Sequence, residues 1–330
     1  MSRSATTVAA AMLAASMAAC SGEPAPPPAP PTAAEPVSIP LPASVTFPEG
    51  IAYDAATGAL YTASAADGAV VRVDGATGTS EVVTPGGILV PADSTTFPGP
   101  LGMTLDDADR LWIAGGNTGR IWVIDTTSGA VAKDAAVATA GKSLINDVVA
   151  VGNAAYFTDT FVPTLWRVAV DGDAIGDPEP WLDLTGSPIE YVEGPNLNGI
   201  AVTPDGQTLI VVHMGKGLLF AIDIATKAIT PIDTAGADLT GADGLVLDGN
   251  TLYVVRQTAV EIATLELSAD RSTGTVLSRF EHGGLAWPAT AVKVGEDLVV
   301  VNTQFNTRGD DSATLPFTLL RVPVARLGEP

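Results

Sequence analysis

From about residue 45 onward the chain alternates short apolar, β-branched runs with turn signals, and no long stretch repeats its apolar residues at helical spacing. Asp67-Gly68, Asp205-Gly206 and Gly249-Asn250 are such turn signals. Hairpins of an all-β fold are the expected result. The pattern also repeats. Six units open alike, at Phe47-Pro-Glu-Gly-Ile-Ala-Tyr-Asp54, Pro100-Leu-Gly-Met-Thr-Leu-Asp106 and Leu144-Ile-Asn-Asp-Val-Val-Ala150, then at Asn196-Leu-Asn-Gly-Ile-Ala-Val202, Ala242-Asp-Gly-Leu-Val-Leu247 and Pro288-Ala-Thr-Ala-Val-Lys-Val294. Each opening is followed by a turn and a second apolar run, for example Ala155-Tyr-Phe-Thr-Asp159, Leu209-Ile-Val-Val-His213 and Leu252-Tyr-Val-Val-Arg256.

The residue before the small residue of each opening forms a column: Glu49, Leu101, Asn146, Asn198, Asp243 and Thr290, spaced by 52, 45, 52, 45 and 47 residues. A period of 45–50 residues with several strands per unit predicts a β-propeller, one four-stranded sheet per blade around a central channel. Six units predict six blades over residues 37–330. Val37–Val45 is expected to add an outer strand to the last blade beside Leu319–Val324, closing the ring and leaving no open edge. Two β-sandwiches would explain the strands but not the sixfold register.

First strands of propeller blades line the channel, so the column gathers at one mouth. Four members offer oxygen: the carboxylates of Glu49 and Asp243 and the amides of Asn146 and Asn198. Each taken alone reads as a turn residue capping a strand. Four around one axis read differently, because clustered carboxylates repel unless a cation sits between them. Calcium takes six to eight hard oxygen ligands, and this set neutralises a divalent ion while leaving positions for water or substrate. Zinc would prefer His and Cys; magnesium or another divalent ion is the alternative.

The blade openings resemble those of the calcium-dependent six-bladed propellers of the gluconolactonase/regucalcin family, relatives of diisopropyl-fluorophosphatase and the paraoxonases. The segments that carry the resemblance are Phe47-Pro-Glu-Gly-Ile, Leu144-Ile-Asn-Asp-Val-Val-Ala-Val-Gly152, Asn198-Gly-Ile-Ala-Val-Thr-Pro-Asp-Gly206 and Ala242-Asp-Gly-Leu-Val-Leu-Asp248. The resemblance implies Glu49, Asn146, Asn198 and Asp243 as ligands of a catalytic calcium. It also implies a second, structural calcium at Asp147, for which a strand-start hydrogen bond is the plain alternative. Leu101 stands where some paraoxonases place a His, so a His dyad is not expected. Second-strand ends should face the same mouth. Of these, His213 and Asp159 are candidate proton shuttles, and Arg256 a candidate holder of an anionic group or oxyanion. Salt bridging for Arg256 and a rim hydrogen bond for His213 are the structural alternatives.

Composition narrows the partners. Acidic residues outnumber basic ones 37 to 16, a net charge of −21, which excludes sequence-independent nucleic-acid binding and electrostatic docking on anionic lipid. A single Cys, Cys20, excludes a disulfide framework and a Cys-based zinc cluster. Met1-Ser2-Arg3 and the apolar run Ala9–Ala19 read as a signal peptide over 1–19, too short to span a bilayer. Met17-Ala18-Ala19-Cys20 resembles a bacterial lipobox, which implies lipidation of Cys20, and Ser21 fits sorting to the outer membrane. The Pro/Ala-rich segment within 20–36 reads as an extended tether. Gly141-Lys142-Ser143 and Asp171-Gly-Asp173 echo a phosphate loop and an EF-hand loop, but both lack the rest of their motifs.

The expected protein is therefore an exported, lipid-anchored monomer, meeting the membrane only through its anchor. Asp243 would act as nucleophile or as general base in calcium-dependent hydrolysis of a small lactone or related ester, both roles implied by the resemblance. The alternative is a non-enzymatic, surface-tethered binding module with structural calcium, decided by whether the ion's open face can be reached. A strictosidine-synthase-like propeller without metal chemistry is disfavoured by the Glu/Asn/Asn/Asp column.

Overall fold

The computed structural model describes Met1 and residues 33–310 and 312–328. The expected signal segment, Cys20 and most of the tether lie outside the described residues. Within them the chain builds six antiparallel sheets in succession, each of four strands, the third with an extra short strand at Ala174–Ile175. They are the blades of a six-bladed propeller. Blade 4 shows the plan: Leu197–Val202 is innermost, then Thr208–His213, Leu218–Asp223 and Ile229–Ile232 outward.

Burial follows each strand's place in the blade. Second strands are buried along nearly their whole length, as in Ala59–Ala63 and Ala154–Asp159, because both faces of a middle strand pack on neighbouring blades. This is why their sequences are continuous apolar runs rather than alternations. The outer strand Val131–Ala136 alternates half-buried and exposed positions, as a strand with one wet face should. The apolar core is divided among six inter-blade seams. Ile210, Val212 and Leu219 of blade 4 meet Leu252, Val254 and Ala263 of blade 5, while Leu209, Val211 and Phe220 turn to Ala154, Tyr156 and Leu165 of blade 3. At about 1.5–3 kcal/mol for each fully buried aliphatic side chain, the seams outweigh any single hairpin in holding the ring.

The ring closes as expected, but on a shorter strand. Val37–Pro40 pairs antiparallel with Thr318–Pro323 as the outer strand of blade 6, Val37 opposite Arg321. One further bond runs from Leu41 N to Phe317 O at 2.8 Å. Pro40 and Pro42 carry no N–H, which stops the ladder before Val45. Arg326 pairs with Glu35 (2.6 Å), just ahead of the first strand.

Much of the acidic surplus lies in hairpin turns. Asp54, Asp74 and Asp125 each open an Asp-x-x-Thr/Ser-Gly turn and accept backbone N–H groups two and three residues on. The Thr57 hydroxyl together with those N–H groups holds Asp54 below the ordinary aspartate range, and the N–H groups with the Thr77 and Ser128 hydroxyls do the same for Asp74 and Asp125. The turn ends at φ near +75° in Gly58, Gly78 and Gly129, where a side chain would be strained.

In blades 3 to 6 the first strand is bulged. Between the pairs Ile145–Asp159 and Val148–Phe157 two residues oppose one, and the same step recurs after Leu197, Ala242 and Pro288. A bulge re-aims side chains. Here it turns Asn146, Asn198 and Asp243 to the mouth and sets Asp147, Gly199 and Gly244 one layer deeper. The register corrects one member of the column. In blade 6 the residue equivalent to Asp243 is Ala289, and Thr290 belongs to the deeper ring beside Gly244. That ring is mostly glycine because blades converge there. A Cβ at Gly102 would lie 2.1 Å from Asp147 Oδ1, and one at Gly199 2.2 Å from Asp243 O.

Candidate metal centre

The four oxygen-bearing members of the column converge. Glu49, Asn146, Asn198 and Asp243 are all buried, and together with Thr160 and Gln257 they form the floor of a cavity of about 220 Å3 at the mouth of the channel. Its walls are apolar, with Leu101, Leu144, Phe161, Met214 and Phe305 among them. The mouth is therefore open above the floor, and neither Leu101 nor the loop at Phe305 fills it.

Three side chains fix how the floor presents its oxygens. The Thr160 hydroxyl donates its only proton to Leu197 O (2.7 Å). It can then only accept from Asn146, whose Nδ2 lies 2.9 Å away. That turns the Asn146 amide NH2 outward and leaves Oδ1 for the cavity. Met214 acts similarly on Asn198. A thioether has no proton to give, so the atom 3.3 Å from Met214 Sδ is the amide Nδ2. Gln257 donates Nε2 to Asp243 Oδ2 at 2.5 Å, fixing the carboxylate in the floor. Asn146 Oδ1 and Glu49 Oε2 are buried without a hydrogen-bond partner. An unpartnered buried acceptor costs about 1–3 kcal/mol, and two acceptor-only oxygens at one spot call for a cation or a proton. Replacing Thr160 by Val removes the group that sets the Asn146 amide. Calcium affinity is expected to fall about 10- to 100-fold, as for other residues that orient metal ligands, read by calorimetric titration.

The electrostatics agree. Burial raises the Glu49 carboxyl well above its ordinary range, and the charges of Asp243 and Asp147 raise it further. Burial likewise raises Asp243, with Asp147 adding to it and hydrogen bonds from Asn198 and Gln257 pulling partly back. A divalent cation would offset both effects, and the mixture of two carboxylates and two amide carbonyls suits calcium better than zinc. Among the described residues no three or more His, Cys, Asp or Glu converge as a metal cluster of their own. Asp147 lies a layer deeper. Its Oδ1 accepts Val148 N (2.8 Å) and its Oδ2 accepts Ile200 N (3.1 Å), tying blade 3 to blade 4, and burial pushes it up to about 6.

The other expected site residues are not brought to the cavity. Asp159 accepts three backbone N–H groups, from Leu144, Phe161 and Val162, and the Trp166 indole N–H; it staples a loop. His213 is 1% exposed. Its Nδ1 accepts Lys216 N (3.2 Å), so Nε2 carries the proton and donates to Glu190 O (3.2 Å); burial lowers its pKa, and no nitrogen is left to shuttle a proton. Arg256 is bound to Glu261 (2.5 Å), Asp238 (3.1 Å) and Thr240 O. The reason is geometric. Second strands stand one strand spacing, about 4.8 Å, outside the channel wall, and their end residues point into the seams. The residue after each faces the other way, and three of those, Thr160, Met214 and Gln257, reach the axis. Sequence reasoning missed these three by one position.

Arg256→Leu tests this placement. It strips one of two arginine partners from the buried Glu261 carboxylate, the other being the more exposed Arg279. The expected cost is about 3 kcal/mol, the lower end for breaking a buried pair. Thermal unfolding should fall by about 6–12 °C, with calcium affinity unchanged.

Fold and floor define the class: a closed six-bladed β-propeller with an oxygen-lined, apolar-walled mouth. Solved structures share that fold. Regucalcin, a calcium-binding protein from Agrobacterium tumefaciens, is 15% identical with a TM-score of 0.62, covering 84% of this chain and 90% of its own. A gluconolactonase from Xanthomonas campestris is 17% identical with a TM-score of 0.58, covering 87% and 89%. Virginiamycin B lyase from Staphylococcus aureus is 12% identical with a TM-score of 0.57, covering 88% and 99%. No protein-family model and no curated protein matches the chain in sequence. At these identities the likeness is one of fold.

Proposed function

We propose that the protein is a calcium-dependent hydrolase of lactones or related esters, exported and held at the outer membrane through lipid on Cys20. The observation that carries the catalytic reading is the pair of partnerless buried oxygens, Glu49 Oε2 and Asn146 Oδ1, in the floor of a reachable cavity. A regucalcin and a gluconolactonase among the structural neighbours support the lactonase-like reading. The export and anchoring rest on the first 20 residues alone.

Glu49, Asn146, Asn198 and Asp243 would hold calcium, which when bound supplies Lewis-acid polarisation of the substrate carbonyl. The two carboxylates balance its charge, and the amides, locked by Thr160 and Met214, are oriented before substrate arrives. Such preorganisation avoids rearrangement during reaction. Asp243 sits in the same floor, lining the cavity, with one oxygen held by Gln257. From there it can either attack the carbonyl carbon or take the proton of an attacking water and pass it to the leaving alkoxide. The apolar walls lower the local polarity beside the floor, which strengthens each of these interactions.

Calcium removal tests the reading. Protein stripped with a chelator should hydrolyse neither a γ-lactone nor a phenyl ester, and added calcium should restore turnover. Activity that survives chelation, or none in the replete protein across lactones and esters, would overturn it.

A further inference from the structure

The walls of the mouth carry information that the floor does not. Of the residues lining the cavity, the polar ones all belong to the floor, and none is Lys, Arg or His. Above it stand Leu101, Leu144 and Met214, with two aromatic rings, Phe161 from blade 3 and Phe305 from blade 6. Blades 3 and 6 are diametrically opposite in a ring of six, so the rings flank whatever enters.

The two rings differ in support. Phe305 is braced edge-on against Phe97 (centroids 5.4 Å apart) and against Phe47 (6.3 Å), which itself packs on Phe317 (5.1 Å). The rim cation Arg308 lies over the Phe97 ring at 3.5 Å rather than in the cavity. Phe161 is 50% exposed and has no aromatic partner within the described residues. One wall is braced by other rings and the other is exposed. That combination fits a flat or alkyl-bearing apolar body.

We propose that the site selects neutral, apolar lactones or esters, alkyl- or aryl-substituted, over polyhydroxylated sugar lactones, with Phe305 as braced platform and Phe161 as the exposed wall opposite. The proposal rests on the hydrolase reading and adds the substrate class. A sugar lactone would bring several hydroxyls against walls that offer no hydrogen-bond partner, and each hydroxyl so stranded costs on the order of tenfold in affinity. An alkyl or aryl group instead gains from leaving water. The cavity, at about 220 Å3, is smaller than the roughly 300–1,000 Å3 of a drug-sized site. It accommodates one ring at the floor, and a longer tail must leave between Phe161 and Phe305.

The test compares a δ-lactone bearing a short alkyl chain with a tetrahydroxylated δ-lactone of the same ring size on the calcium-replete full chain. Binding of the two corresponding lactams, which do not hydrolyse, is followed in parallel by calorimetry. The alkyl lactone should show a kcat/KM at least about 100-fold higher, and the alkyl lactam should bind where the hydroxylated one does not. Phe161→Ser, at an exposed position and so without a folding penalty, should reduce the preference about tenfold, and Phe305→Leu should reduce it less. Equal or better turnover of the hydroxylated lactone would overturn the proposal while leaving hydrolysis intact. Selective binding of the alkyl lactam without turnover of either lactone would overturn the hydrolase reading and leave the apolar selectivity standing. Absence of binding by both lactams would overturn the selectivity itself.

Discussion

Calcium titration of a Glu49→Ala/Asn198→Ala protein should show no heat of tight binding, where the wild-type chain shows one site. The double variant removes one of two carboxylates and one of two amide oxygens from the floor. Calcium affinity spans about six decades with ligand charge and number, so losing both ligands should weaken binding at least about 1,000-fold. Neither change threatens the fold in the way a seam substitution would. Glu49 lies outside the paired strand Ile51–Asp54, and its Oε2 makes no hydrogen bond. Removing a buried carboxylate that burial and two neighbouring charges disfavour should even relieve the calcium-free protein. Thermal unfolding supplies the second readout. A ligand at 100 times its dissociation constant stabilises the folded state by about 2.7 kcal/mol, so calcium should raise the wild-type midpoint and leave the double variant unmoved. A wild-type chain that binds no calcium would reduce the four residues to strand caps and remove the basis for hydrolysis.

Asp243→Asn should lower the turnover of a lactone by about 100- to 10,000-fold, the range that a positioned proton-transfer group contributes, while retaining weakened calcium binding. The substitution preserves shape, but its single oxygen is shared between the Gln257 Nε2 donor and the cavity, and an amide can neither attack the carbonyl carbon nor accept a proton near neutral pH. Gln257 is the natural control. Its Nε2 orients Asp243 without lining up as a reacting group, so Gln257→Leu should depress turnover less and shift its pH profile, because the hydrogen bond that pulls the Asp243 pKa down is lost. With that bond gone the carboxylate pKa rises, and the acidic limb of the profile should move to higher pH. Full activity in Asp243→Asn would exclude both roles for this residue.

The correction at the second-strand ends shows what the primary structure can and cannot carry. Asp159, His213 and Arg256 stand out in sequence because each is a polar residue closing an apolar run. That position puts them at the right end of the right strand. Whether such a side chain faces the axis or a seam depends on a one-residue phase, and a strand reverses its facing at every residue. The phase is set by bulges in the first strands, two residues opposite one after Ile145, Leu197 and Ala242, and no turn residue marks a bulge of this kind. The same blindness displaced the sixth column member from Ala289 to Thr290. Thr160, Met214 and Gln257, which lock the floor, have chemically ordinary side chains and were one place away.

The sequence alone determined the number of blades, the strand order within each, the closure of the ring by its two ends and four of the six oxygen-bearing residues of the floor. Those features repeat, and repetition at a fixed period is written in local patterns of apolar and turn residues. Tertiary structure alone decided which oxygens remain without partners, which polar strand ends turn into the seams, and that the mouth is open with apolar walls. These depend on contacts between residues tens to hundreds of positions apart, such as Thr160 with Leu197 or Phe47 with Phe305, and only packing the six blades around one axis brings them together.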